Sequence, residues 1–143
     1  MKIMLLTLFW MVPALLFSQN IDELDDKVFK KAQISPLFPG CEDIEDKREQ
    51  SICAGTKLLQ FVYSNVKYPK QARKKGVEGT VVVKFIVEKD GSISNAQVVR
   101  DIGEGCGEEA LRVVSKMPNW TPGSLDGKPV RAEYQLPVKF ILN

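Results

Sequence analysis

Two stretches of strict alternation, separated by one helical stripe, constrain this chain more than anything else in it. From Thr80 to Glu88, Val81, Val83, Phe85 and Val87 fall on one face and Val82, Lys84, Ile86 and Glu88 on the other, the period-two pattern of a strand. Lys89-Asp90-Gly91 supplies a tight turn, and Ile93 to Arg100 returns as the second arm of a hairpin. Glu108 to Met117 changes period: Ala110, Leu111, Val113, Val114 and Met117 form a helical stripe, with Glu108 and Glu109 near the positive end of the helix dipole. Pro118 ends that helix. After a Pro/Gly loop from Thr121 to Gly127, alternation resumes over Val130 to Leu142, with Val130, Ala132, Tyr134, Leu136, Val138, Phe140 and Leu142 on one face.

Upstream, Leu58, Leu59, Val62 and Val66 sit at helical spacing and predict a helix over Thr56 to Val66. Tyr68-Pro69 stops it, because the residue before proline is pushed out of the α region. Pro69 then opens a short helix, Lys70 to Lys75, which Gly76 terminates. Helix, hairpin, helix and long strand predict an α+β fold: a three-stranded antiparallel sheet with two helices packed on one face. Pro137 cannot donate to a ladder, so the last strand is expected at the sheet edge, at least over its second half. That leaves an open row of hydrogen-bonding groups.

The N-terminus reads as an export signal. Lys2 precedes an apolar run from Ile3 to Phe17, broken by Thr7 and Pro13, which ends at Ser18-Gln19-Asn20. The run is shorter than the roughly 20 residues of a bilayer-spanning helix, so cleavage near Ser18 to Asn20 is expected, with an uncleaved anchor as the alternative. Asn20 to Gln50 reads as a loosely structured arm carrying a short helix around Ile21 to Lys31. The expected organisation is a signal peptide over 1–19, an arm over 20–53 and a domain over 54–143.

Export changes the meaning of Cys41, Cys53 and Cys106, since disulfides persist in oxidising compartments. Cys41 and Cys53 lie close together in a Pro-, Gly- and charge-rich stretch and are expected to pair; closing a loop of that size is worth roughly 3 kcal/mol. Cys106 is expected as a small buried residue at a helix start, with a reactive thiol as the alternative. The chain has no histidine, which removes Ser-His-Asp and Cys-His catalysis and the commonest general base. With no close cysteine pair either, no metal site is expected. Gly103-Glu104-Gly105-Cys106-Gly107 lacks the context and spacing of a dinucleotide loop and reads as a lead into the helix. No catalytic residue and no cofactor are expected, and a net charge of +2 gives no footprint for nucleic acid. Lys67, Lys70, Arg73, Lys74 and Lys75 form a basic cluster that reads as a solvated face, or as an electrostatic guide for an acidic partner. Trp120 reads as a cap on the core, with a ligand platform as the alternative.

Taken in order, Tyr68-Pro69, Ala72, Gly76, Gly79, the Val-rich strand through Phe85 and Val87, Asp90-Gly91, Ala110, Trp120 with Pro122-Gly123, Gly127 and Pro137-Val138-Lys139-Phe140 resemble the TonB C-terminal domain family over about Asn65 to Leu142. The three cysteines resemble those of a related group in Bacteroidetes. The resemblance implies a non-enzymatic periplasmic domain that grips a short peptide of an outer-membrane receptor, or of another envelope protein, by adding it as a strand to the sheet edge. It places the partner-binding contact along the final strand, at Arg131, Ala132, Glu133, Tyr134, Gln135, Leu136 and Lys139, and at Asn65, Val66 and Lys67 just before Tyr68-Pro69. Two further roles are compatible with it: a membrane-anchored energy transducer for receptor-driven transport, and an envelope scaffold forming a homodimer through the same edge.

Overall fold

In the computed structural model, which describes residues 26–143, the elements follow one another as β1 (Val28–Phe29), α1 (Lys47–Asn65), α2 (Lys70–Lys74), β2 (Gly79–Val87), β3 (Ile93–Arg100), α3 (Cys106–Ser115), β4 (Gly123–Leu125) and β5 (Lys128–Phe140). The alternating segments pair as their patterns require. β2 and β3 form the hairpin, and β5 runs antiparallel along the other side of β2, from Gly79 opposite Phe140 to Val87 opposite Ala132, with no break in register. Val81, Val83, Phe85 and Val87 of β2 and Leu136, Val138 and Phe140 of β5 are buried against Leu58 and Val62 of α1 and Ala110, Val113 and Val114 of α3. Each such side chain contributes roughly 1.5–3 kcal/mol of burial. The fold class is α+β, with α1 and α3 on one face of the sheet.

The hairpin turn is stitched to the far end of α3. Gly91 has φ +86°, and its carbonyl accepts the Trp120 backbone N–H at 2.8 Å. A Cβ at Gly91 would lie 2.0 Å from the Trp120 carbonyl oxygen, so this turn requires glycine for both conformation and closeness.

Four sequence expectations are corrected. The sheet has five strands rather than three, in the order β1-β5-β2-β3 with β4 also on β5. The loop expected over Thr121 to Gly127 contains β4, and Asp126 and Gly127, at φ +51° and +76°, form the two-residue turn into β5; two consecutive positive φ angles match the twist of a tight hairpin. α1 begins at Lys47 rather than Thr56 because the Asp46 carboxylate caps it, accepting the Glu49 N–H at 2.9 Å. The boundary expected between residues 53 and 54 therefore falls inside this helix.

The arm is the fourth. Where a helix was expected up to Lys31, Val28 and Phe29 pair parallel with Arg131 and Ala132, and Ile34 and Leu37 bridge to Ser124 and Thr121. Ala32 packs with Val130 and Ala132, flanked by Phe29 and Leu125, in a small second cluster. The reason is long-range: the outer side of β5 offers partners that a short isolated helix lacks. The expected signal peptide or anchor, and the start of the expected arm helix, lie outside the described residues. No helix among the described residues is long and apolar enough to cross a membrane. Cys41 and Cys53 are bonded, with Cα atoms 6.1 Å apart, and fasten the arm to α1.

Candidate functional site

The first part of β5 is paired: Lys128, Pro129 and Val130 with β4, and Arg131 and Ala132, on the side away from β2, with β1. The edge expected to be open from Arg131 is thus closed at its first two positions. From Glu133 to Phe140, no described strand lies against that side. The expectation drawn from Pro137, an edge at least over the second half of the strand, holds there.

Which groups this edge presents follows from one hydrogen bond. The Lys139 N–H donates to the Tyr63 hydroxyl on α1 at 3.2 Å, so it points away from β2. Alternation along an unbroken strand then turns the Glu133 and Gln135 N–H groups the same way. Pro137 contributes only its carbonyl. Ala132 and Leu136 are buried and Tyr134 stacks on Phe85 at 5.5 Å, so these three turn their side chains to the core. Glu133 is half-buried, whereas Gln135 and Lys139 are exposed.

Arg131 fastens the closed half. Its Nε and Nη2 donate to the Glu88 carboxylate at 2.7 and 3.0 Å, and Nη1 donates to the Asp26 carbonyl at 2.7 Å. The Arg131 guanidinium holds the Glu88 carboxyl below its ordinary pKa. Asn65, Val66 and Lys67 sit beside the other end of the strand, between Tyr63 and Tyr68, whose ring meets Phe140 at 5.6 Å. Several of their backbone groups are already taken. Val66 N–H donates to the Val62 carbonyl at 2.8 Å, Lys67 N–H to Glu109 Oε2 at 2.6 Å, and the Asn65 carbonyl accepts from Arg112 Nη2 at 2.8 Å. Glu109, paired with Arg112 at 2.6 Å, is likewise held below the ordinary glutamate range, chiefly by that pairing.

Sequence reasoning missed the wall that faces the open half. Ile52, Leu59 and Tyr63 on α1 are 62%, 51% and 45% exposed and follow one another at helical spacing. Beside them lies a cleft of about 260 Å³, bounded by the Ser35–Phe38 segment of the arm, by Ser51, Gly55 and Leu58 of α1, and by Trp120 and Tyr134. Trp120 is only 4% exposed and caps the core, edge-on to Phe38, Phe85 and Tyr134 at 5.6, 5.5 and 4.9 Å. Its indole N–H, however, has no hydrogen-bond partner among the described residues, a state that costs about 1–3 kcal/mol. Gly55, within α1, costs the helix about 1 kcal/mol relative to alanine, and a Cβ there would meet nothing within 4 Å. The sequence signal for this wall was the glycine inside a helical run, legible only once the helix start is placed before it.

Two further candidates lie away from this edge. Cys106 is buried at the start of α3, and its pKa is raised, first by burial and then by Asp101, Glu104 and Glu108, which opposes thiolate chemistry. Lys67, Lys70, Arg73, Lys74 and Lys75 are all exposed; Lys75 pairs with Glu104 at 2.9 Å and Arg73 lies 5.4 Å over the Tyr68 ring.

The family model described as the C-terminal region of Gram-negative bacterial TonB proteins matches residues 64–142, more than half of the chain. The chain belongs to the TonB C-terminal domain family. A curated relative, protein TonB of Vibrio cholerae serotype O1, is 34% identical over 77 residues, which make up 53% of this chain and 31% of that protein. The chain thus matches about a third of the relative's length. Among solved structures, the TonB C-terminal domain of Helicobacter pylori shares 27% identity over 62% of this chain and 79% of its own, at a TM-score of 0.47. That of Pseudomonas aeruginosa shares 27% identity over 55% of this chain and 81% of its own, at 0.39. The family match covers α2, the hairpin, α3 and both later strands. β1, the disulfide and most of α1 precede it.

Proposed function

We propose that this TonB-family chain is a non-enzymatic periplasmic binding protein that captures an extended peptide of an outer-membrane receptor, or of another envelope protein, by strand addition to β5 between Glu133 and Lys139. The observation that carries this reading is the row of outward backbone groups at those positions, against which no described strand is laid. An extended guest takes its affinity from such main-chain groups and its selectivity from alternate side chains. The row is short. Glu133 and Gln135 supply donors, Pro137 supplies none, and the Lys139 N–H is held by Tyr63 until a guest displaces it. Arg131 and Ala132, which family analogy includes in the contact, join it only if β1 is displaced.

The test is titration of the full chain with synthetic peptides from the periplasmic N-terminal segments of outer-membrane receptors, followed by backbone amide shifts. Shifts centred on Glu133 and Gln135, with release of the Tyr63 bond at Lys139, are the expected result. If no receptor peptide moves those two amides, or if the chain dimerises through them instead, the reading fails.

A further inference from the structure

The side of α1 that carries Leu59 and Tyr63 takes no part in the core: Leu58 and Val62, beside them in sequence, are buried there, whereas these two stand out to solvent. One bond fixes which way that side looks. The Tyr63 hydroxyl accepts the Lys139 N–H, so it faces the unpaired edge of β5. Gly55 and Leu58 border the same cleft as Tyr134, so α1 passes Tyr134 before it reaches Lys139 and runs in the same direction as β5. Leu59, one turn before Tyr63, therefore stands alongside the stretch between those two β5 residues. Four helical residues rise about 6 Å, and alternate side chains of an extended strand are about 7 Å apart. The two repeats match. A guest laid along β5 turns to the α1 face the side chains opposite Leu136 and Val138, which are themselves turned to the core. Those two guest side chains, with one position between them, arrive at Leu59 and Tyr63.

We propose that α1 is the selectivity wall of the peptide site: Leu59 and Tyr63 receive two bulky apolar side chains of the guest strand, separated by one residue that is free to vary. This inference rests on strand addition at β5, and it adds what that reading lacks, a reason for one guest sequence to be preferred over another of equal β-propensity. The wall is uncharged, with Ile52 and Thr56 continuing it toward the start of the helix. A charged guest group there would give up hydration without gaining a partner. An aliphatic one covers leucine and ring surface that solvent now reaches. The intervening guest residue points to the other face of the sheet, where Gln135 and Lys139 are exposed, and it meets no such wall. Tyr63 serves the site twice. Before binding, its hydroxyl occupies the Lys139 N–H; once a guest carbonyl takes over that N–H, the freed ring lies against the guest side chain. Both wall residues precede residue 64, where the family match begins, so the selectivity is carried by a helix outside the matched region.

The experiment uses the full chain and three nine-residue peptides: one all threonine, one with valine at its fourth and sixth positions, and one with valine at its fourth and fifth. Valine and threonine are nearly the same shape and both favour strands, so the peptides differ in where their apolar surface falls. The Glu133 and Gln135 amides report strand addition, and the Leu59 methyl resonances report the wall. The peptide with alternate valines is expected to move both and to bind about tenfold more tightly than the all-threonine peptide. The peptide with adjacent valines, which can turn only one of them to α1, is expected between the two. Leu59→Gln combined with Tyr63→Gln is expected to bring the three affinities together while the edge amides still move; both positions are exposed, so the fold is retained. Tyr63→Phe, which keeps the ring, is expected to keep the preference. If the edge amides move but alternate valines bind no better than adjacent ones, or if the double variant keeps the preference, the wall is overturned and strand addition stands. If no peptide moves the edge amides, both are overturned.

Discussion

The two halves of β5 share one sequence pattern and have different neighbours. Up to Ala132 the strand is held by β4 at Lys128 to Val130 and by β1 at Arg131 and Ala132, with Arg131 tying the arm to Glu88. Beyond Ala132 it has β2 on one side, and its hold on the fold is the burial of Leu136, Val138 and Phe140. Backbone pairing and side-chain burial are thus separable along a single strand. The open half is secure because it is packed, and its outer groups need no protein partner to keep it in place. That combination, a rigid strand with spare main-chain groups, is what strand addition requires.

The comparison breaks most visibly at Leu136. Leu136→Ala is expected to cost about 4 kcal/mol, in the range for a fully buried leucine, measured by denaturant unfolding; a loss below about 1 kcal/mol would show that something other than packing holds the open half. Next is the staple. Replacing Cys41 and Cys53 together by serine is expected to cost about 3 kcal/mol and to speed hydrogen exchange at Ile34 and Leu37, with little change at Val83 and Phe85. Equal loss of protection in both regions would mean that arm and sheet unfold as one unit.

A smaller effect concerns the Arg131 clasp. Because Glu88 is held below the ordinary glutamate pKa in the folded chain, its contribution is complete above the unfolded value of about 4.3 and fades as pH falls through the lower folded value. The arm amides of Val28 and Phe29 are therefore expected to lose protection as acid protonates Glu88, and Glu88→Gln should remove that pH dependence. Persistence of the dependence in the variant would assign it to another carboxylate. Smallest is Tyr63→Phe, expected to change stability by under about 1 kcal/mol while accelerating exchange at the Lys139 amide alone. An unchanged Lys139 rate would deny the outward orientation from which the Glu133 and Gln135 directions follow.

Legibility in the sequence divides along similar lines. The hairpin, α3 and β5 were readable because Val81 to Val87, Ala110 to Val114 and Val130 to Phe140 express local periods that burial on one face imposes. β4 left one sign, the Asp126-Gly127 dipeptide typical of a two-residue hairpin turn, but with Leu125 as the only large apolar residue before it and Pro122 and Gly123 beside it the segment read as a loop. The start of α1 lay in Asp46 and Glu49, spaced as a helix cap, while Ser51 and Gly55 dilute the apolar stripe that would have extended the helix back to them. β1 had no such signal. Val28 and Phe29 become a strand only because Arg131 and Ala132, about a hundred positions away, offer a free side, and pairing across that separation leaves no period to read. The same holds for the site: Pro137 identified an edge, but which part of it stays bare depended on where the arm comes to rest.

A bare strand edge invites copies of itself as readily as a guest. Here Pro137 interrupts the row of donors midway, Glu133 and Lys139 place opposite charges along it, and the Tyr63 hydroxyl occupies its far end. Runaway stacking into fibrils needs an unbroken ladder repeated from chain to chain, which this edge does not supply. The proline that opened the question of the edge therefore also sets its limit: it leaves only Glu133 and Gln135 as donors ahead of it, too short a row for a ladder to propagate from chain to chain.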